Sequence, residues 1–181
     1  YANRGLRDDK AAGIIGWTNQ GENDMRTLPS GRQSFADIPF NIATPKAAVV
    51  LHSVNANNVD LPKEVKGIKI GRRADVLFFL HTAGWCGGQP FKYRANYEDG
   101  TSEEIAITDG QQVVDWWSDP ARHAEAISRY GLFIAWQGDN PMRKGTILPG
   151  YEWVSPHPDK PIRDYTPREL MLKLDPLGCA N

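Results

Sequence analysis

The chain has 181 residues, 21 of them Lys or Arg and 22 Asp or Glu, which gives a formal net charge of −1. That length is enough for a single domain to bury its own core without a metal or disulfide. The balanced charge, with no basic stripe or charged tail, argues against nucleic acid and anionic membranes as partners and favours a neutral ligand. No apolar run in the sequence approaches the roughly 20 residues of a membrane span.

The residue types favour short strands joined by turns. Six Trp, six Tyr and six Phe stand beside 17 Gly and 13 Pro. Aromatic side chains fill pleated sheet faces, whereas Gly and Pro interrupt helices. The chain begins at Tyr1 rather than Met, so we expect a processed or excised piece whose missing leader says little about export. Its two cysteines, Cys86 and Cys179, are compatible with one disulfide or with two reduced thiols.

In chain order, the polar residues 1–34 come first, and we interpret them as an opening loop with room for one short strand. Apolar runs bounded by turn residues then predict nine strands. These strands cover 38–42, 47–53, 65–70, 75–82, 91–97, 102–108, 132–136, 145–154 and 168–174. One short helix is predicted over 120–130, where Asp119 caps the first turn and Gly131 ends the last.

Two of these strands carry the clearest pattern. Residues 76–80 form an apolar block that predicts a strand buried on both faces, whereas 91–97 alternates at period two and has one wet face. Asp99 and Gly100 then supply the positive φ angles of a tight hairpin.

Nine strands suffice for an all-β fold of two packed sheets, a β-sandwich with one short helix. We expect one domain over residues 1–181. Its last part, 156–181, is expected to form a proline-rich extended return and the final strand.

Six motifs occur in order along the chain. They are NRGLRDD at 3–9, GWTNQGENDM at 16–25, Gly31 with IPF at 38–40, FLHTAGW at 79–85, YEDG at 97–100 and DWW at 115–117. Together they resemble the galactose-binding-like β-sandwich, or jelly-roll, domains appended to bacterial polysaccharide-degrading enzymes, a group that includes many carbohydrate-binding modules. The resemblance covers about residues 3–155 and implies an accessory domain more strongly than it names a sugar.

Trp85 is the main candidate for sugar stacking. Sugar recognition combines flat aromatic faces against the apolar side of a pyranose with amides, carboxylates and Arg groups that bind its hydroxyls. Trp85 lies among glycines in the loop over 84–88, an unusual setting for a core Trp. The alternative is that Trp85 plugs one end of the sandwich.

Trp116 and Trp117 are neighbours in an extended segment, so their side chains point in opposite directions. One is expected in the core and the other at the surface, where it would assist Trp85. Trp17, Trp136 and Trp153 are interpreted as core residues.

The loop over 18–26 is rich in hydrogen-bonding side chains. Its candidate ligand-binding residues are Asn19, Gln20, Asn23, Asp24 and Arg26. Three interpretations stay open: recognition of sugar hydroxyls, an oxygen-ligand Ca²⁺ site, or a turn held by its own hydrogen bonds. The resemblance implies a structural Ca²⁺ ion, although no EF-hand spacing is present, its ligands are unknown and no cofactor is required.

His81 follows the apolar strand and precedes the Trp85 loop, so its ring either donates to a bound sugar or bonds a nearby carbonyl. The other histidines lie in separate predicted elements, which gives little support for a zinc or iron site. Glu103 and Glu104 are an available pair of acids for glycoside hydrolysis, but neighbours on a strand point to opposite faces.

These observations predict a noncatalytic carbohydrate-binding module that targets a secreted bacterial enzyme, extracellular or periplasmic, to a poly- or oligosaccharide. Its expected partners are the glycan and the catalytic domain of the parent enzyme, and we expect a monomer. One alternative is a structural spacer, which would show a broad apolar patch away from any cleft. Another is a small jelly-roll lyase or hydrolase, with a concave sheet face that holds His, Tyr, Arg and a carboxylate of raised pKa.

Overall fold

The computed structural model describes residues 1–53 and 60–169. Within these ranges the chain forms antiparallel strands and one short helix, which confirms the predicted all-β class. The strands are β1 (Gly31–Phe35), β2 (Ile38–Ile42), β3 (Ile68–Arg72), β4 (Val76–Leu80), β5 (Phe91–Tyr97), β6 (Ser102–Ile107), β7 (Leu132–Asn140), β8 (Arg143–Val154) and β9 (Ile162–Glu169). The helix α1 (Ala124–Arg129) directly follows a 3₁₀ turn at Pro120–His123.

Two sheets form the sandwich. The four-stranded sheet has the order β3-β9-β5-β6, the three-stranded sheet has the order β4-β8-β7, and β1 with β2 makes a separate hairpin. The inner faces of the two larger sheets share one core, in which Phe79 of β4 packs with Tyr93 of β5 and Ile162 of β9. The predicted two-sheet β-sandwich is therefore confirmed.

The outer face of the three-stranded sheet is covered at one end. There Leu80 and Leu148 pack in a second cluster with Phe35 of the β1–β2 hairpin and with Trp116. Beyond this cover Phe78 stays 37% exposed. The expectation that residues 76–80 are buried on both faces is therefore wrong, because the hairpin reaches only part of β4.

Helix α1 closes the β7 side of the core, where Ala126 is buried against Leu132. The predicted helix over 120–130 corresponds to the 3₁₀ turn and α1 together, which span 120–129, so α1 itself begins four residues later than predicted. The Asp119 carboxylate accepts a hydrogen bond from the Ala121 N–H, and Gly131 adopts a φ of 71° after the last turn. A side chain at Gly131 would meet the Glu152 carbonyl oxygen at 2.7 Å, so both the backbone angle and the space require glycine there.

The predicted hairpin between β5 and β6 is present, with Arg94 opposite Glu104. Only Gly100 has a positive φ, of 84°. Asp99 contributes differently from the prediction, because its carboxylate accepts hydrogen bonds from the N–H and hydroxyl of Thr101. The turn is therefore held by an Asx hydrogen bond as well as by the glycine.

The β1–β2 hairpin was not placed by the sequence pattern. Its two-residue turn is Ala36-Asp37, and both residues have positive φ, at 50° and 62°. Turns of this geometry usually contain Asn-Gly or Asp-Gly, and neither dipeptide occurs here. Because this turn lacks glycine, the sequence gives no hairpin signal for β1, and most of its residues fall within the predicted opening loop over 1–34.

The predicted strand over 47–53 is wrong. In this segment only Ala48 makes a strand-like bridge, to Arg4. The Asn3 side chain bonds both the N–H and the carbonyl of Val50, so a side chain takes the backbone partners that a neighbouring strand would supply.

The last strand is also placed differently, since β9 starts at Ile162 and lies between β3 and β5 rather than at an edge. Pro167 is tolerated in this central strand. The Pro167 carbonyl accepts a hydrogen bond from the Val65 N–H, in the irregular segment before β3. The Pro167 nitrogen, which carries no hydrogen, is on the same side of β9, so no hydrogen bond to β5 is lost. Residues 170–174 of the predicted strand, and Cys179 with the open question of its disulfide to Cys86, lie outside the described residues.

Candidate functional site

An open cleft of about 590 Å³ lies beside the edge strand β4. One wall consists of inward side chains of β4, β5 and β9, and the other includes β2 and the segment over 47–53. The loops around Trp17 and Trp85 complete the cleft. Its aromatic and polar lining residues include Trp17, Asn19, Gln20, His52, His81, Trp85, Phe91, Tyr93, Trp116, Tyr165 and Glu169.

Trp85 combines exposure with an unfavourable backbone conformation. Its side chain is 66% exposed, so it is not a plug buried at the end of the sandwich. Its φ is 49°, in the left-handed region that residues with a Cβ rarely adopt. Holding a residue there costs about 1–3 kcal/mol, and glycine would avoid that cost. The surrounding loop therefore holds a large aromatic side chain in the cleft at the expense of stability.

Two further indoles lie side by side in the cleft wall. Trp17 and Trp116 meet edge to face, with ring centroids 4.9 Å apart. Trp116 is 4% exposed and belongs to the second hydrophobic cluster. The Nε1 atom of Trp17 is buried and has no hydrogen-bond partner in the described structure. A buried donor without a partner is costly, and an oxygen of a bound ligand could accept from it.

His81 lies in the cleft wall as a hydrogen-bonded core residue. Its Nε2 atom is 2.8 Å from the Gln112 carbonyl oxygen, and its Nδ1 atom is 2.9 Å from the Tyr93 hydroxyl. A carbonyl only accepts, so Nε2 carries the proton and Tyr93 donates to Nδ1. Burial lowers the pKa of His81 to about 4, which keeps the ring neutral. Of its two predicted roles, the structure shows the bond to a neighbouring carbonyl.

A polar pair in the cleft was missed from the sequence. His52 Nδ1 and Glu169 Oε2 are 2.9 Å apart, and both side chains are largely buried. The two residues are 117 positions apart and no spacing links them, so only the folded arrangement of β9 against the segment over 47–53 brings them together. The pair adds hydrogen-bonding capacity to a mainly apolar wall.

Three candidates of the polar loop are held in a network away from the cleft. The Asp24 carboxylate is buried and accepts from the backbone N–H and the Nε of Arg26, both at 2.9 Å. Asn23 Oδ1 accepts from Trp117 Nε1 and Asn140 Nδ2, each at 3.1 Å. The bonds between Asp24 and Arg26 match the interpretation of a turn held by its own hydrogen bonds. Asn23 differs, because it is buried and ties the loop to Trp117 and Asn140.

The same loop presents its other two candidates to the cleft. Asn19 and Gln20 line the cleft wall, and Asn19 is exposed. The Gln20 side-chain oxygen accepts from the Asn23 amide, which fixes its orientation. The loop thus divides into a cleft-facing part and a buried anchor.

Trp116 and Trp117 differ in burial as predicted, but their side chains do not point in opposite directions. Both residues lie in a turn, and their rings meet edge to face with centroids 5.8 Å apart. Trp117 is 37% exposed, whereas Trp116 is buried. The Arg143 guanidinium lies over the Trp117 ring at 4.8 Å from its centroid, a cation–π contact. Trp117 is not among the residues that line the cleft, so the structure does not place it beside Trp85.

The two acids considered for catalysis, Glu103 and Glu104, occupy neighbouring positions of β6 and do not face one another. Glu104 binds Lys92 and Arg94 on the outer sheet face, while Glu103 lies opposite Ala95 at the neighbouring register position. Residues 1–53 and 60–169 contain no cluster of three or more His, Cys, Asp or Glu side chains arranged to hold a metal ion. The structural Ca²⁺ ion stays a prediction.

Comparison of the chain with protein-family models, curated proteins and solved structures finds no match. In the described part of the chain, no helix has the length and apolar character needed to cross a bilayer.

Proposed function

We propose that this chain is a noncatalytic carbohydrate-binding module that uses the cleft beside β4, with Trp85 as the stacking surface. In this proposal it targets a secreted bacterial polysaccharide-degrading enzyme to its glycan, as the ordered motifs in the sequence suggest. The observation that carries the proposal is Trp85 itself. An exposed indole occupies a position in a glycine loop whose positive φ glycine would adopt without strain.

The other lining groups suit an amphipathic ligand such as a sugar. Aromatic faces and aliphatic walls would take the C–H side of a pyranose, while Asn19, Gln20 and the His52–Glu169 pair would meet its hydroxyls. Each of these groups belongs to the same cleft.

The cleft also supports a binding role over a hydrolytic one. Glycoside hydrolysis generally needs two carboxyl groups about 5–10 Å apart on either side of the bond. Glu169 is the single carboxylate among the described lining residues of the cleft, and it is paired with His52. We therefore expect reducing-end and unsaturated-product assays on plant and algal glycans to stay at background. Turnover that survives repurification would contradict the noncatalytic proposal.

A glycan array followed by titration of the best ligand tests the site. Trp85→Ala is expected to weaken binding at least tenfold, and Trp85→Phe to retain part of the affinity because a flat ring remains. Both variants should lose less unfolding free energy than the ~3–5 kcal/mol of a buried Trp. Trp117→Phe is the matched control, since it changes an exposed indole outside the cleft and should bind normally. Unchanged affinity of Trp85→Ala would place the site elsewhere.

A second candidate function, the structural spacer, is favoured by one observation. Phe78, Phe133 and Val154 lie on the outer face of the three-stranded sheet, and Val154 is 65% exposed. The patch has the exposure that a spacer requires, but it adjoins the cleft at Phe78 and does not lie away from it as the spacer predicts. Hydrogen exchange of β4 and β8 in the isolated chain and in the longer parent protein tests docking. Extra protection in the parent would support the spacer, and equal protection would exclude it.

A further inference from the structure

The outer face of the four-stranded sheet carries a groove of about 470 Å³ on the side opposite the sandwich core. We call it the basic groove. Its lining residues are Glu64, Lys66, Gly67, Lys92, Arg94, Asn96, Arg163, Asp164, Thr166 and Arg168. The face is wet, as the alternation in β5 predicts, because Tyr93 and Ala95 point to the core while their neighbours point outward.

The charge of this groove differs from that of the whole chain. Five of its lining residues are Lys or Arg and two are Asp or Glu, whereas the chain has a formal net charge of −1. Glu104 on β6 adds one more carboxylate, shared between Lys92 and Arg94 at 2.7 Å each. Positive charge therefore remains in excess on this face.

The strand register places like charges against each other. Lys92 of β5 is directly opposite Arg168 of β9, and Arg94 follows on the same face. Like charges opposite one another across a strand pair destabilise a sheet. Arg168 has no salt bridge within the described part of the chain, although Glu64 lies opposite it on the other side of β9. The other four cations of the groove pair with Glu64, Glu104 or Asp164. An anion bound between Lys92 and Arg168 would remove this repulsion.

The groove already shows how it holds a carboxylate. The Glu104 side chain accepts from the Lys92 ammonium and the Arg94 guanidinium, and these bonds hold the pKa of Glu104 at about 2. Asn96 and Thr166 lie between the charged side chains and offer neutral hydrogen-bonding groups, which suits a ligand that carries hydroxyls as well as acids.

We propose that the basic groove binds the carboxylate groups of an acidic polysaccharide, a polyuronate, as a second binding surface distinct from the Trp85 cleft. Nucleic acid fits less well. The groove has no aromatic lining residue on which a base could stack. The inference does not depend on the cleft, because the two surfaces lie on opposite faces of the four-stranded sheet.

Binding to immobilised polygalacturonate at low ionic strength tests this inference. The double variant Lys92→Gln/Arg168→Gln should bind at least tenfold more weakly than the unmodified chain. Lys10→Gln/Lys144→Gln is the matched control, since it removes the same charge from exposed positions outside the groove and should bind normally. The highly methyl-esterified polymer should not bind. In about 1 M salt, where the Debye length is about 3 Å, binding to the acidic polymer should be lost.

Equal weakening by both double variants would show a net-charge effect and overturn the inference. So would absence of polygalacturonate binding, or stronger binding to a sulfated dextran or a DNA duplex. Trp85→Ala distinguishes the two surfaces, because it should leave polygalacturonate binding unchanged. That result is expected whether or not the cleft binds a sugar.

Discussion

Burial divides the ring side chains of the cleft into two kinds. His81 is enclosed, and both of its ring nitrogens have partners within the protein. Trp85 is exposed in a strained backbone conformation. A change at His81 therefore acts first on folding, whereas a change at Trp85 acts first on what the cleft can bind.

Trp85→Gly is expected to leave the unfolding free energy unchanged or raise it by up to ~1 kcal/mol. Glycine adopts a positive φ without a Cβ clash, and that relief offsets the greater freedom of glycine in the unfolded chain. Glycan binding should be lost at the same time. Chemical denaturation beside a binding titration measures both quantities, and a clear loss of stability would show that the indole is structural.

The His81 pKa of about 4 predicts an acid-sensitive fold. In the unfolded chain the ring has its ordinary pKa of 6.5, so between pH 6.5 and 4 the unfolded state binds more protons. Stability should therefore fall as the pH drops through this window, by about 3 kcal/mol in total. Urea denaturation at several pH values measures the slope.

His81→Gln is the control for that slope. It should flatten the dependence between pH 6.5 and 4, although His123, whose pKa burial also lowers, leaves a smaller slope of the same sign. Identical slopes in the variant and the unmodified chain would show that His81 is not the group that titrates.

At the scale of elements, the polar loop is anchored by one buried amide. Asn23 joins the loop to Trp117 and to Asn140 of β7, and its carbonyl accepts from the Thr18 hydroxyl. Asn19, four positions earlier, has its side chain in the cleft instead. The loop therefore offers two asparagines with opposite expected roles.

Asn23→Ala is expected to lower the unfolding free energy by about 1–3 kcal/mol, because it removes the acceptor of Trp117 Nε1 and one of the two acceptors of the buried Asn140 Nδ2. The folded fraction should still bind glycan. Asn19→Ala should do the reverse, with stability within about 0.5 kcal/mol and weaker binding. Chemical denaturation and glycan-binding titrations on both variants test this division. A loss of affinity without a loss of stability in Asn23→Ala would contradict it.

Elements with local signals were predictable, and elements set by distant contacts were not. The limits of the helical segment over 120–129 and the β5–β6 hairpin follow from Asp119, Gly131 and Gly100. By contrast, the apolar segment over 47–53 is held by Asn3, nearly fifty positions earlier, so its composition misled the strand prediction.

The candidate site divides in the same way. The exposure of Trp85 follows from its glycine neighbours. Trp116 is buried and Trp117 is partly exposed, as predicted, but they lie in a turn and their rings touch, so the strand geometry behind that prediction is wrong. The pairing of His52 with Glu169 depends on where β9 enters the sheet, and a single sequence holds no local signal for that.

At the scale of the whole molecule, the three-stranded sheet lies between two hydrophobic clusters. Phe79 and Trp153 face the core shared with the four-stranded sheet. Leu80 follows Phe79 in β4, and Leu148 lies five positions before Trp153 in β8, so both point to the opposite face of the sheet. There they pack in the cluster that contains Phe35 of the β1–β2 hairpin. Strands β4 and β8 contribute to both clusters, so loss of either cluster should loosen the strands that the other needs.

This arrangement predicts one cooperative unfolding transition, as expected of a single domain. Ile162→Ala in the shared core and Leu28→Ala in the hairpin cluster should each cost about 2–5 kcal/mol, because both side chains are buried. Each should shift the same transition, followed by far-ultraviolet circular dichroism and by Trp fluorescence. Ile127→Ala, at an exposed helix position, should change stability by no more than about 0.5 kcal/mol. Two separate transitions, each sensitive to one variant, would mean that the hairpin cluster unfolds independently of the sandwich.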